Sequence, residues 1–146
     1  ESAIDDDDAV IVMDCDLEFS SNALMQNIKS ILSQPSEDVN GGLLVSFESD
    51  SPKYSYAEVD ADNRVVRTAE KEVISSHALC GAYFFSTGKD FLRVAHQILE
   101  DANFNKPEFY LSLLFNYLLA DGETVRLCPM EKYCSYGTPE ELKRYL

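Results

Sequence analysis

Ala9-Val10-Ile11-Val12-Met13-Asp14-Cys15-Asp16 is an apolar run that ends abruptly in two carboxylates two residues apart. A short, continuous apolar run containing β-branched residues reads as a buried strand. In an open α/β sheet the ligand crevice lies beyond the carboxyl ends of the strands, so acids placed there can hold a divalent cation against a phosphate-bearing substrate. Asp14 and Asp16 equally suit a capped and solvated strand-to-loop exit.

Outward from this run, strand and helix signals alternate, as in an α/β protein whose sheet is covered on both faces. Ser21 is placed to cap a helix carrying Leu24, Met25, Ile28, Ile31 and Leu32 on one stripe, closed by Gln34-Pro35. A loop through Asp38-Val39-Asn40-Gly41-Gly42 then delivers a second buried strand over 43–47. The segments 54–60 and 64–70 flank Ala61-Asp62-Asn63, residues that tolerate the tight backbone of a hairpin. After Ser75-Ser76-His77 comes an aromatic-rich strand over 78–85, in which Gly81 signals close approach of another group.

Thr87 and Asp90 form a variant capping box for a helix with Phe91, Val94, Ala95, Ile98 and Leu99 on its apolar stripe. The next helix is predicted to begin at Pro107 and to end at Gly122. It is apolar almost all round and is expected to be deeply packed. A strand over 124–128 follows, and Thr138-Pro139-Glu140-Glu141 supplies cap, first-turn proline and returning glutamate for a terminal helix.

Composition bounds the function. The 146 residues, 45% of them hydrophobic, read as one domain over 1–146 or a large piece of one, without internal repeats. A net charge of −14 argues against nucleic acid and anionic membranes as partners; a polyphosphate substrate would need a bridging metal ion or a local basic pocket. No apolar run approaches the length of a membrane span, and Glu1-Ser2-Ala3-Ile4 followed by four aspartates is the reverse of a secretion signal, so a cytoplasmic protein is expected. Cys15, Cys80, Cys128 and Cys134 form no Cys-x-x-Cys pair and lie in apolar stretches, which predicts four buried free thiols. Asp5 to Asp8 lack the glycine and distal glutamate of a calcium loop. His77 and His96 read as structural or solvated.

Several motifs in order carry a resemblance: Val10 to Asp16, Val59-Asp60-Ala61-Asp62-Asn63-Arg64-Val65, Glu70-Lys71, Gly81 to Phe85, Glu108-Phe109-Tyr110-Leu111-Ser112 and Tyr136-Gly137-Thr138-Pro139-Glu140-Glu141-Leu142. The chain resembles the C-terminal two-thirds of a sugar-phosphate nucleotidyltransferase, the family of glucose-1-phosphate thymidylyltransferases and related pyrophosphorylases. The resemblance implies a Rossmann-like mixed sheet with helices on both faces, the nucleotide-diphospho-sugar transferase type, with the N-terminal nucleotide-binding part absent. It implies that a sugar phosphate, or a phosphocholine-like phospho-alcohol, attacks the α-phosphorus of a nucleoside triphosphate, with pyrophosphate leaving and Mg²⁺ neutralising the charge.

By the same resemblance Asp16 is the metal-binding aspartate and Asp14 orients it or binds the ion through water. Glu70 takes sugar hydroxyls, Lys71 meets the sugar or its phosphate as a catalytic cation, and the Gly81 backbone lies against the sugar. Glu108 falls where a family acid contacts the sugar, although near a helix start it is equally favoured by the macrodipole. Tyr83 and Tyr110 read mainly as core.

Two departures qualify the expectation. Nothing in Glu1 to Ala9 stands for the family's Gly-x-Gly-x-Arg phosphate loop, so the chain is expected to be a fragment or to need strands from elsewhere, with an edge that invites pairing in a homo-oligomer. Ser135 occupies the position of the family's second metal-binding aspartate. Two rival readings follow: a related-fold glycosyltransferase using Asp14-Cys15-Asp16, and a noncatalytic regulatory or assembly domain of the same fold.

Overall fold

The structure, a computed structural model, describes residues 3–34 and 39–145. In chain order its elements are β1 (Val10–Met13), β2 (Leu17–Ser20), α1 (Asn22–Ser33), β3 (Gly42–Glu48), β4 (Ser55–Val59), β5 (Val65–Glu70), β6 (His77–Phe85), α2 (Gly88–Glu100), α3 (Leu111–Ala120), β7 (Val125–Pro129), β8 (Lys132–Ser135) and α4 (Pro139–Leu142). Pro35 and Asp38, expected to close the first helix and to open the following loop, lie outside the described residues.

β6 organises a mixed six-stranded sheet of order β5-β4-β6-β3-β7, to which β1 is added along β6. Among the described residues only β3 and β7 pair in parallel; the other ladders are antiparallel. β3 runs along one edge of β6, and the opposite edge is shared by two strands. β1 takes its Ala82–Phe85 end, through the register Met13↔Ala82 to Val10↔Phe85, and β4 touches its other end at Tyr56↔Ala78. The edge of β6 opposite Leu79, Cys80 and Gly81 is thereby left as a notch between two strand ends. β2 and β8 form a separate two-stranded ribbon beside it.

Strand alternation sends side chains to two cores. Leu44, Leu79, Tyr83 and Phe85 face α2 and α3, meeting Val94, Ile98, Leu114, Phe115 and Leu118. Leu43, Val45, Cys80, Ala82 and Phe84 face α1 through Leu24 and Ile28. Phe85 stacks on Phe115 at 4.7 Å and meets Phe91 edge-on at 5.0 Å; burying an aromatic of this kind contributes about 1.5–3 kcal/mol. The sheet is covered on both faces, as expected of the class. Capping also follows the expectation: the hydroxyls of Ser21, Thr87 and Thr138 accept from the backbone N–H groups of Leu24, Asp90 and Glu141.

Four expectations are corrected. β1 is shorter than the apolar run and not buried: Val10 and Val12 pack on the core, whereas Ile11 and Met13 are exposed, because β1 pairs with β6 alone among the described residues. On the two amphipathic helices Met25, Leu32 and Leu99 lie at the rims of their stripes and are exposed.

The third helix begins at Leu111 rather than Pro107. Tyr110 is its extended N-cap, and Pro107 and Glu108 lie in an exposed bend ahead of it. Phe109 stacks on Phe104 at 4.9 Å, and the Tyr110 hydroxyl is tied to Glu108 and Lys71, contacts that hold this segment outside helical geometry. Finally Cys15, in the turn after β1, is exposed; the other three cysteines are buried, and all four are free.

Candidate functional site

The notch on β6 opens into a cavity of about 210 Å³ whose walls include Asp14, Asp16, Glu70 and Gly81. Asp14 and Asp16 lie in the turn between β1 and β2, where the Asp14 N–H donates to the Gly81 carbonyl (2.9 Å) and the Asp16 carbonyl accepts from Tyr136 N–H (2.7 Å). Glu70 closes β5 from the other side of the notch. Larger cavities of about 320 and 370 Å³ elsewhere contain none of the expected site residues.

Gly81 explains how the first acid reaches this place. Its φ is +90°, and a β-carbon there would lie 2.3 Å from Asp14 Oδ2. Only a residue without a side chain both adopts this conformation cheaply and admits the carboxylate. At Gly137, whose backbone is not left-handed, a β-carbon would stand 2.9 Å from Asp16 Oδ2, so the missing side chain leaves space beside this carboxylate.

The electrostatics are those of crowded acids. The Asp14 carboxyl is held above its ordinary pKa by partial burial, with the nearby Asp16 and Glu70 charges adding to the effect. Glu70 Oε2 accepts hydrogen bonds from Ser55 Oγ and from the fully buried Ser112 Oγ (3.1 Å). Burial raises the Tyr83 hydroxyl well above its usual range and pushes the Cys80 thiol up to about 12, so both groups on the cavity wall stay protonated. Tyr83, expected mainly in the core, is buried there and also lines the cavity.

Lys71 and Glu108 are not brought into this cavity. Lys71, with a left-handed φ of 55°, points its ammonium to the Tyr110 hydroxyl (3.1 Å), and that hydroxyl donates to Glu108 Oε2 (2.9 Å). The three form their own exposed cluster, so Tyr110 is more than core packing. Ser135 lines the cavity and donates to Glu141 Oε2 (3.0 Å). His77 and His96 lie away from the cavity; His96 is exposed on α2.

Sequence reasoning missed Ser55, Ser112 and Lys53. The polar Ser112 within an otherwise apolar helix was a usable signal; nothing marked Lys53.

Among the described residues no three His, Cys, Asp or Glu side chains come together as a ligand set for a metal ion. Asp14 and Asp16 both line the cavity. Mg²⁺ commonly takes one or two carboxylates and completes its shell with water and substrate phosphate oxygens, so a pair of acids on the cavity wall is of the donor chemistry such an ion takes.

No protein-family model matches the chain, and no curated protein sequence does. Solved structures do. One neighbour is the nucleoside-diphosphate-sugar pyrophosphorylase from Vibrio cholerae RC9, at a TM-score of 0.77 and 22% identity over 94% of this chain and 55% of that one. Another is a Bacillus anthracis protein assigned as a glucose-1-phosphate thymidylyltransferase, solved in complex with a sucrose. It matches at a TM-score of 0.71 and 20% identity over 94% of this chain and 53% of its own. The chain has the fold of these proteins and spans about half their length.

Proposed function

We propose that this chain carries the metal and acceptor side of a sugar-phosphate nucleotidyltransferase. The acceptor's phosphate oxygen attacks the α-phosphorus of a nucleoside triphosphate, a new P–O bond forms, the bond to the β-phosphate breaks and pyrophosphate leaves. The observation that carries this reading is the meeting of Asp14 and Asp16, from the turn between β1 and β2, with Glu70, from the end of β5, in one notch that Gly81 lines. The fold shared with a nucleoside-diphosphate-sugar pyrophosphorylase supports it.

In this reading Asp14 and Asp16 hold Mg²⁺, which supplies charge neutralisation for the phosphates. Glu70, with Oε2 fixed by two serine hydroxyls, keeps Oε1 to accept from an acceptor hydroxyl. Gly81, on the cavity wall, leaves room for the Asp14 carboxylate, and its backbone is the part that would lie against the acceptor. Little covalent chemistry falls to the protein; its work is positioning and electrostatics.

The test is pyrophosphate release by the protein that contains this chain, offered each of the four triphosphates with sugar phosphates and with phosphocholine. Asp16→Ala is expected to lower the rate by at least about a hundredfold, a loss on the scale of metal-ion charge stabilisation. Activity that survives this substitution contradicts the assignment. One observation favours a noncatalytic domain instead: Ser135 stands where the family resemblance calls for a second aspartate, and its hydroxyl is engaged with Glu141. That reading predicts no release with any pair of substrates.

A further inference from the structure

A second cavity, about 220 Å³, adjoins the acidic notch and shares Lys53, Tyr54, Tyr133 and Ser135 with it, while Glu141, Arg144 and Tyr145 close its far side. We infer that this annex is the subsite for the acceptor's phosphate, held by Lys53 and Arg144. The inference rests on the reading above and names what that reading lacks, a cationic partner for the acceptor.

The need is electrostatic. A chain of net charge −14 with three carboxylates around the notch repels a phosphate unless cations line its approach. Lys71, the cation expected for this task, is engaged with Tyr110 outside the notch. Lys53 lines both cavities, and Arg144 lines the annex from the turn after α4, where its N–H closes on the Glu141 carbonyl at 3.1 Å.

Lys53 already rests where an anion would be met. Its ammonium lies 3.4 Å from Glu141 Oε1 and 4.7 Å from the centre of the Tyr54 ring. The pair with Glu141 is more than half exposed on the lysine side, and exposed ion pairs of this sort stabilise by only about 0–1 kcal/mol, so a dianionic phosphate can displace the carboxylate. Arg144 adds a planar guanidinium suited to two phosphate oxygens. Burial pushes the Tyr133 hydroxyl up to about 12, so it remains a donor at the boundary between the two cavities.

Titration of the ¹⁵N-labelled chain with inorganic phosphate and with glucose 1-phosphate, in EDTA and again with Mg²⁺, tests this. Amide shifts are expected at Tyr54, Ser135 and Arg144, and Lys53→Gln or Arg144→Gln is expected to weaken both ligands by about tenfold, the loss of one charged hydrogen bond. Lys89→Gln, which removes the same charge from α2, is expected to leave both affinities unchanged. Thermal unfolding of each variant verifies that it folds. Asp16→Ala in EDTA is expected to retain phosphate binding, which separates this subsite from the metal reading.

Three results would overturn the proposal: no shifts in the annex; weakening by Lys71→Gln but not by Arg144→Gln; or pyrophosphate binding there more tightly than glucose 1-phosphate, which would give the subsite to the triphosphate.

Discussion

Asp14 reaches the notch because position 81 is glycine, and it sits there at an energetic cost. Partial burial, followed by the Asp16 and Glu70 charges, raises its pKa in the fold. A carboxyl that binds its proton more tightly folded than unfolded contributes stability that is present at acid pH and is lost as pH rises through the folded value. Asp14→Asn is therefore expected to raise the thermal midpoint at pH 7 while leaving it nearly unchanged at pH 3, as measured by paired unfolding curves. A midpoint lowered equally at both values would mean that the carboxylate stabilises the fold. At this scale the sequence was informative where chain order alone placed residues: Asp14, Asp16, Glu70 and Gly81 come together as the motif order implied. Lys71 does not, because its left-handed backbone and the Tyr110 hydroxyl direct its side chain elsewhere, and neither depends on local sequence.

The seam between α3 and β5 shows how an element can be mistaken for simple apolar packing. Asn116 accepts from the Thr68 N–H (2.8 Å) and donates to the Thr68 carbonyl (3.0 Å), taking the part of a neighbouring strand on the outer edge of β5. Thr68 Oγ1 in turn donates to the Ser112 carbonyl (2.7 Å). Thr68 is buried, so Asn116→Ala strands a donor and an acceptor away from water and is expected to cost about 2 kcal/mol or more, measured by denaturant unfolding. A cost below about 0.5 kcal/mol would show that water replaces the amide. Caps and the hairpin were legible because Ser21, Thr87, Thr138 and Asn63 act within a few residues of themselves; Asn63 takes the left-handed φ of 61° its turn requires. The start of α3 was not legible, since Pro107 suits a first helical turn but the Phe104 and Phe109 stack overrides it. Nor was the exposure of β1, because an apolar run does not reveal how many neighbours a strand acquires.

Over the whole molecule, the strands that share one edge of β6 create the notch, and three carboxylates, two from the turn between β1 and β2 and one from the end of β5, line it. No helix among the described residues is long and apolar enough to cross a membrane. The fold was legible in the alternation of periodicities; the notch was not, since it depends on β1 and β4 sharing an edge. The central claim, that Asp14 and Asp16 hold a divalent cation in this notch, is tested most directly by paramagnetic broadening with Mn²⁺. Substoichiometric Mn²⁺ should broaden the amides of Asp14 to Leu17, Gly81 and Ser135, and Asp16→Ala should abolish the effect. Broadening that persists in Asp16→Ala, or that centres on the exposed Asp5 to Asp8 turn, would contradict the account.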